Sequence, residues 1–369
     1  MALALAGSWR HEVTAPALTA DELEAVTPGL LASAGASLCW RRIRSTPLAT
    51  TASGVRLREA YRLHRLQATL GERTLGWIVR VLRAAGIEPL LLAKGWAVAR
   101  HYPEPGLRPY GDVDVFVGME QYSSARAAFK AAAAEWIAGG GPIPAVSIDV
   151  QRHPVELDDR PFEELRARAH VVPLGDLRVC VLGPEDQLRM SLLHLLRHEG
   201  RRPLWWCDIG AIVETTPSLD WDLVLRGGER RAVWLACMAR LAHELLDVRL
   251  TTLPQPWQGQ PLPGWLAPAI YRRWEDGVAT VPSRFAVSYL RNPRGLRQGL
   301  YERWPNPLAA TLRWGGLPHD TPRWPYQWRD ILWRLSLYGR RHLPILREEF
   351  ARRELEEQRD VVDGRRLSI

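Results

Sequence analysis

The chain has 369 residues, a hydrophobic fraction of 46% and a formal net charge of +8 at pH 7. This composition is that of a globular protein with a sizeable core and two or more domains, and it excludes a disordered chain. The four cysteines form no CxxC pair, which argues against a zinc knot or a disulfide framework. No window approaches the roughly 18 apolar residues of a membrane span, and the N-terminal apolar stretch is too short for a signal peptide. We therefore expect a cytoplasmic protein.

Arginine supplies almost all of the positive charge, because only Lys94 and Lys130 are lysines. An arginine-rich, alanine-rich and lysine-poor composition is what a GC-rich genome imposes. The charge therefore does not by itself indicate a polyanionic partner. We expect a small molecule or a peptide as the substrate in preference to nucleic acid.

The first elements in chain order are an extension and a long helix. Residues 1–53 are mixed in composition and contain one predicted helix at 20–34. From 54 to 85 apolar residues recur at near-helical spacing, which predicts a long amphipathic helix ending near Gly86. The short apolar run 90–93 predicts a buried strand, and the helix is expected to pack against it.

Helices and strands alternate after this strand, up to residue 182, which predicts a small α/β domain. The predicted helices are 96–102, 121–138 and 161–169, and the predicted strands are 112–117, 146–150 and 178–182. Residues 155–157 are expected to extend the second of these strands or to pair with it in a hairpin.

From residue 183 onward the pattern is helical. Predicted helices begin at 184, 204, 219 and 231, the segments 251–268 and 291–326 are expected to be irregular, and 327–360 is again helical. We therefore predict four segments. They are an N-terminal extension (1–53), an α/β domain (54–182), a helical domain (183–250), and a Trp/Pro-rich segment with C-terminal helices (251–369).

Two aspartates open the predicted strand 112–117. Alternate side chains of a strand share a face, so Asp112 and Asp114 point the same way with Cα atoms roughly 6.6 Å apart, while the valines between and after them face the core. Mg²⁺ prefers a few carboxylates together with phosphate oxygens and water, and such sites favour attack at phosphorus. The pair predicts a divalent-cation site for a triphosphate.

Phosphate ligands are expected just before these aspartates. Lys94 and the backbone amides after Gly95 lie at a predicted helix start, where they suit phosphate oxygens. Arg108 lies four residues before Asp112, across a turn, within reach of the same anion. A structural pairing of Arg108 with Glu104 or an aspartate stays open as the alternative.

A third carboxylate is expected from the next strand. Asp149 lies near the end of the predicted strand 146–150 and is the favoured candidate, with a role beside the acceptor hydroxyl. Glu156 and Asp158 alternate on the next extended stretch and stay open as alternatives.

Two histidines share a face of the predicted helix that begins at 184. The i, i+4 spacing of His194 and His198 can hold zinc, but no third ligand is evident, so packing or capping is the favoured interpretation. The spacing of Arg189 and His194 is similar to that of helical RNase-like domains, although the pattern is very permissive. No Walker loop, GxGxxG or GxSxG motif occurs, which argues against P-loop ATPases, Rossmann dehydrogenases and serine hydrolases.

The stretch LLLAKGWAVARHYPEPGLRPYGDVDVFV (90–117) resembles the signature of the uncharacterised nucleotidyltransferase family of the DNA polymerase beta-like superfamily. In that signature a strand, a Lys-Gly turn and an Arg-x-x-Gly-Asp-x-Asp strand recur. The stretch LGPEDQLRMSLLHLLRHEGRRPLWWCDIGAIVE (182–214) is similar to the helical region of the same family. The resemblance covers about residues 55–250. Lys94-Gly95 replaces the Gly-Ser turn of the broad superfamily, as it does in the narrower family.

The resemblance implies an α+β fold, with a small mixed-sheet polymerase beta-like core and a helical second domain on the acceptor side. It implies transfer of a nucleoside monophosphate from an NTP co-substrate to a hydroxyl or similar acceptor, with Mg²⁺ or Mn²⁺ as cofactor. The implied catalytic and metal-binding residues are Asp112, Asp114 and Asp149, and the implied nucleotide-binding residues are Lys94, Gly95, Arg108 and Gly111.

The acceptor is not specified by these motifs. Relatives occur in natural-product and polysaccharide gene clusters, which suggests a small-molecule, sugar or peptide acceptor. The alternative is a catalytically silent protein that keeps the fold to bind a nucleotide or a partner, and RNA processing by the helical domain is a third hypothesis. Base preference and oligomeric state are not predicted.

Overall fold

The computed structural model describes residues 1–88, 91–139, 146–275, 304–334 and 336–337. The chain divides into two compact units, Met1–Thr280 and Val281–Ile369. The first unit contains a five-stranded mixed sheet and most of the described helices, so the fold is α+β, as the sequence predicts. The division into four segments stays a prediction.

The described strands and helices have the following bounds. The strands are β1 (Leu91–Ala93), β2 (Asp112–Phe116), β3 (Ser147–Gln151), β4 (His170–Leu174) and β5 (Leu177–Val181). The helices are α1 (Ala2–Leu5), α2 (Ala20–Ala32), α3 (Ala36–Ile43), α4 (Ala52–Ala84), α5 (Gly95–Ala99), α6 (Tyr122–Ala138), α7 (Phe162–Ala167), α8 (Pro184–Arg197), α9 (Pro203–Glu214), α10 (Trp221–Leu225), α11 (Glu229–Leu246), α12 (Gln255–Gln258), α13 (Leu266–Glu275) and, in the second unit, α14 (Pro307–Arg313). Residues 324–334 are also helical, and Pro47–Thr50 and Val155–Leu157 are 3-10 turns.

The strand order in the sheet is β3-β2-β1-β5-β4. Strand β2 runs parallel to β3 and antiparallel to β1, whereas β1 runs parallel to β5 and β5 antiparallel to β4. The strands that carry the predicted site, β1, β2 and β3, are therefore direct neighbours on one side of the sheet.

The two faces of the sheet pack against different helices. Val113 and Val115 of β2 pack with Leu75 and Leu82 of α4, and α6 joins this core through Ala125. Phe116 and the other alternate residues of β2 point to the opposite face, where Leu165 of α7 and Met190 of α8 complete a second core. The aspartates of β2 therefore lie on the face that α7 and α8 cover.

Helix α4 shows why the sequence pattern predicted this layer well. Thr51 caps it, with its hydroxyl accepting a hydrogen bond from the Gly54 amide at 3.1 Å. Its buried residues recur on one side, and the chain leaves the helix through Gly86, whose φ is +74°.

Most of the predicted elements are confirmed within a few residues, but some predictions are wrong. Residues 155–157 form a 3-10 turn and not a strand, and α12 and part of α13 lie in the segment predicted to be irregular. The sequence analysis did not predict α1, α3 or β4. Strand β4 lies at the edge of the sheet, is mostly exposed and contains Pro173, so its apolar alternation is weak.

The C-terminal predictions are tested only in part. Helix α14 lies within the predicted irregular segment 291–326, and 324–334 agrees with the predicted helical pattern. The remainder of 291–326 up to residue 303, and of 327–360 beyond residue 337, lies outside the described residues. Among the residues that are described, no helix combines the length and the hydropathy that crossing a membrane requires.

Candidate active site

Three carboxylates share one face of the sheet. Asp114 of β2 pairs in register with Asp149 of β3. Paired residues of neighbouring strands point to the same face about 4.8 Å apart, and Asp112 joins them because alternate residues of β2 share a face. Asp112 and Asp149 are exposed, whereas Asp114 is only 3% exposed. The structure thus brings together the three carboxylates that the sequence singled out.

Lys94 contacts this carboxylate group. Its Nζ lies 3.1 Å from Asp114 Oδ2 and 3.5 Å from Glu156 Oε2. Burial lowers the pKa of Lys94, but the charges of Asp114 and Glu156 act more strongly together, so the pKa is raised. The pKa of Asp114 is raised by burial, against the opposing effect of Lys94, with Asp112 and Asp149 adding to the rise. Lys94 is therefore a charged ammonium ion held against a buried aspartate.

The backbone at Lys94-Gly95 explains how the ammonium is held there. Lys94 has φ 50° and ψ −155°, a combination that L-residues rarely adopt and that costs of order 1–3 kcal/mol. Gly95 has φ +33°, and a Cβ at this position would lie 2.2 Å from the carbonyl oxygen of Asp112. Only glycine allows the turn to pack so closely against the start of β2, and this packing holds Lys94 beside Asp114.

Gln151 links two of the carboxylates. Its Nε2 donates hydrogen bonds to Asp114 Oδ1 at 3.0 Å and to Asp149 Oδ2 at 2.6 Å. The sequence analysis missed this residue because the predicted strand stopped at residue 150. The period of two that begins at Asp149 places Gln151 on the same face and would have identified it.

Glu156 lies on the far side of the lysine and is 7% exposed. Besides Lys94, its carboxylate contacts His194 Nδ1 at 3.3 Å and Arg197 Nη1 at 3.4 Å, both from α8. Burial raises the pKa of Glu156, but the hydrogen bond from His194 and the charge of Lys94 outweigh burial and lower it to about 2. Glu156 is therefore an ionised carboxylate that joins the lysine to α8.

The candidates for the third carboxylate thus occupy different places. Asp149 lies beside Asp114, and Glu156 is engaged by the lysine and α8. Asp158 is exposed and pairs with Arg231 at 3.0 Å. Asp149 as the third ligand stays a prediction, but it is the candidate that the sheet register places next to the aspartate pair.

Arg108 and Gly111 both make hydrogen bonds within the protein that connect parts of the fold. Arg108 is 9% exposed, and its Nε and Nη2 donate to the two oxygens of Asp208 at 3.2 and 2.9 Å. Tyr102 donates to the same carboxylate at 2.7 Å, which ties the segment before β2 to α9. The carbonyl oxygen of Gly111 accepts a hydrogen bond from the Ser147 amide at 2.8 Å. Both residues as nucleotide ligands stay predictions, and the Nε and Nη2 donors of Arg108 are already engaged by Asp208.

The two histidines of α8 pack with an indole. The ring of His194 lies 4.4 Å from that of His198 and 4.4 Å from that of Trp205. Burial, followed by the charges of His194 and nearby arginines, lowers the pKa of His198 to about 4. Arg189, the partner of His194 in the RNase-like spacing, is fully buried and bonded to Asp159 at 2.6 Å. The structure therefore does not place Arg189 beside His194.

The residues present fit a divalent cation that is shared with a substrate. Within the described chain, no three His, Cys, Asp or Glu side chains are already grouped to hold a metal. Mg²⁺ does not need such a cage, since it binds through one or two carboxylates and completes its shell with phosphate oxygens and water. Asp114 Oδ2 is buried on the same sheet face as the exposed Asp112, and it contacts the ammonium of Lys94 at 3.1 Å, which a cation would have to displace or share.

Comparison with known proteins agrees with this geometry. The model of a family described as "Uncharacterised nucleotidyltransferase" matches residues 29–247, more than half of the chain and the part that contains the sheet, the carboxylates, α8 and α9. Comparison with curated proteins and with solved structures gave no significant match. The resemblance seen in the sequence is confirmed, and the chain belongs to the uncharacterised nucleotidyltransferase family.

Proposed function

We propose that this protein transfers the nucleoside monophosphate of an NTP to a hydroxyl or similar acceptor, with Mg²⁺ or Mn²⁺ as the required cofactor. One observation carries the proposal. Asp112, Asp114 and Asp149 share one sheet face, and a strained turn holds the ammonium of Lys94 3.1 Å from the middle carboxylate. Family membership supports nucleotide transfer in general, and the grouped carboxylates support the proposed requirement for a divalent cation.

The cation would be held by Asp112 and Asp114, with Asp149 beside them. When bound, it supplies charge neutralisation for the triphosphate and for the oxygens that attack and leave. Asp112 and Asp149 are exposed and can accept a ligand without rearrangement of the core. Asp114 is buried, so its position is fixed by the sheet.

Lys94 contributes a second positive charge. Its ammonium is shared between Asp114 and Glu156, so it can leave Asp114 for a phosphate oxygen while Glu156 keeps it in place. A lysine in this position binds phosphate as a point charge. The free energy of the contact is larger than at a surface, because Asp114 and Glu156 are both buried.

Asp149 would accept the proton of the attacking hydroxyl. It is the exposed carboxylate beside Asp114, and the hydrogen bond from Gln151 fixes the orientation of its carboxyl group. A general base must lie within hydrogen-bond reach of the proton that it removes, and an exposed carboxylate at the rim of the site leaves room for an acceptor. The acceptor class stays a prediction, namely a sugar, an antibiotic or a peptide hydroxyl.

The proposal is tested by incubating the protein with each NTP and Mg²⁺ or Mn²⁺, in the presence of candidate acceptors. Pyrophosphate release and the mass of any nucleotidylated product are measured. We expect metal-dependent turnover that the double variant Asp112→Asn/Asp114→Asn lacks, while Asp158→Asn keeps it. Unchanged turnover in the double variant would show that the chemistry lies elsewhere.

A catalytically silent nucleotide-binding protein is the second candidate. It is favoured by the contact of Lys94 with Asp114, because an ammonium ion already occupies part of the space that a cation needs. Calorimetry with NTP and Mg²⁺ separates the two functions. A binding protein gives heat without pyrophosphate, whereas the proposed enzyme gives both in the presence of its acceptor.

A further inference from the structure

The turn between α8 and α9 gathers arginines around one indole. The guanidinium carbons of Arg201 and Arg202 lie 6.0 and 5.1 Å from the ring centre of Trp205. Arg197, at the end of α8, extends the same basic surface and contacts Glu156. We call Arg197, Arg201, Arg202 and Trp205 the α8–α9 arginine cluster.

Two of these arginines have no opposite charge in contact. Arg108 and Arg197, near the same site, pair with Asp208 and Glu156. Within the described residues, Arg201 and Arg202 form no ion pair, and Nε of Arg202 is buried without a hydrogen-bond partner. Burial, and then the charge of Arg201, lower the pKa of Arg202. The cluster therefore holds a surplus of positive charge that its own surroundings do not neutralise.

The cluster lies beside the carboxylates. Trp205 touches His194, His194 contacts Glu156, and Glu156 contacts the lysine that pairs with Asp114. The charge of Asp112 acts on the guanidinium of Arg202. The buried pair of Arg108 with Asp208 fixes α9 against the segment that leads into β2. The arginines and the carboxylates are thus linked by a continuous series of contacts.

We propose that the α8–α9 arginine cluster binds a phosphate group of a substrate. The identity of that substrate rests on the proposed function, whereas the anion site itself does not. Arginine binds phosphate with two parallel hydrogen bonds, and stacking on Trp205 holds the guanidinium groups in place before binding. Helix α9 begins with Pro203, which has no backbone N–H, and the Trp205 amide donates to the Arg202 carbonyl at 3.1 Å, so the arginine side chains carry the anion site.

Two sources of phosphate fit this chemistry. The group is either the terminal phosphates of the NTP or a phosphate carried by the acceptor. In both cases the phosphate group would lie on the side of the carboxylates that faces α8 and α9.

Calorimetry on the full chain tests the proposal with two probes. The first is tripolyphosphate without metal, and the second is inorganic phosphate added to protein that is saturated with Mg²⁺ and α,β-methylene-ATP. The variant Arg201→Gln/Arg202→Gln is compared with Arg201→Lys/Arg202→Lys, which keeps the charge. Arg56→Gln/Arg73→Gln, on exposed positions of α4, is the matched control.

We expect Arg201→Gln/Arg202→Gln to lower the affinity for one of the two probes by about 10- to 100-fold. The double lysine variant should lower that affinity less, and the α4 control variant should leave it unchanged. Weaker binding of tripolyphosphate assigns the site to the NTP. Weaker binding of inorganic phosphate alone assigns the site to the acceptor. Equal affinity of all variants for both probes would overturn the proposal. Circular dichroism melting curves verify that each variant is folded.

The outcome is separable from that of the proposed function. Suppose that Asp112→Asn/Asp114→Asn leaves turnover and metal binding unchanged, while binding of tripolyphosphate still depends on Arg201 and Arg202. The anion site is then supported, and the assigned active site is wrong. If the carboxylates prove essential and neither phosphate probe depends on the arginines, only the anion site is wrong.

Discussion

Two groups of charged side chains in this protein have opposite characters. In the N-terminal half of α8, Asp186 is fully buried and pairs with Arg160 and with Arg168 at 3.0 Å, while buried Arg189 pairs with Asp159. Every charge in this structural cluster has an opposite partner. At the sheet face, Lys94 pairs with Asp114 and Glu156, and the neighbouring carboxylates Asp112 and Asp149 are exposed.

The difference separates charges that hold the fold from charges that await a ligand. Buried charges are tolerated when they are paired and hydrogen-bonded, and such pairs fix how elements meet. An unbalanced, half-exposed group is stable only because water or a ligand neutralises it, which is why perturbed acids in a cleft indicate function. By this criterion we propose that the α8–α9 arginine cluster and the carboxylates bind the same substrate.

The largest expected effect lies in the structural cluster. Asp186→Asn would leave Arg160 buried without a counter-charge, and we expect the free energy of unfolding to fall by about 3–5 kcal/mol. Urea unfolding measures this loss, with Asp176→Asn in the exposed pair with Arg80 as the control. Loss of stability should not be accompanied by a lower turnover number of the folded fraction. Equal stability of Asp186→Asn and wild type would contradict the assignment of this cluster to the fold.

Glu156 provides a test by pH. Its pKa of about 2 in the folded protein is below the ordinary value of 4.5, so the carboxylate stabilises the fold fully above about pH 4.5. That contribution, on the order of 3 kcal/mol, is lost as the pH falls towards 2. Unfolding curves between pH 6 and pH 2 should show the stabilities of wild type and Glu156→Gln converge. Glu24→Gln, on an exposed position of α2, is the control.

The third carboxylate can be identified by comparison of single variants. We expect Asp149→Asn to lower the rate of pyrophosphate release by about 100-fold, because it lies beside Asp114. Glu156→Gln should have a smaller effect through Lys94, and Asp158→Asn none. A loss confined to Glu156→Gln or Asp158→Asn would assign the role to that residue instead. Rates at saturating NTP and metal are the measurement.

The smallest expected effect concerns Lys94 and the cation. In Lys94→Met the ammonium no longer competes at Asp114, so Mn²⁺ without nucleotide should bind about tenfold more tightly, while NTP binds more weakly. Electron paramagnetic resonance measures free Mn²⁺ directly. Lys130→Met, in α6, changes the only other lysine and should alter neither affinity. Weaker Mn²⁺ binding in Lys94→Met would mean that the lysine supports the metal site.

The sequence predicted much of the sheet region because local patterns there are strong. The period of two in β2 placed Asp112 and Asp114 on one face, and the apolar stripe of α4 predicted the layer behind it. Strand β4 and the turn at 155–157 were missed or misassigned, since an exposed edge strand and a 3-10 turn have no comparable apolar period.

The sequence by itself determined the family, the α+β class and the side chains that carry the candidate chemistry, because these depend on residue type and short spacing. Only the tertiary structure decided which charges meet. It placed Lys94 and Gln151 in contact with Asp114, paired Arg108 with Asp208, and brought Glu156 against α8. These contacts depend on strand register and on the packing of helices far apart in the chain, which no local pattern specifies.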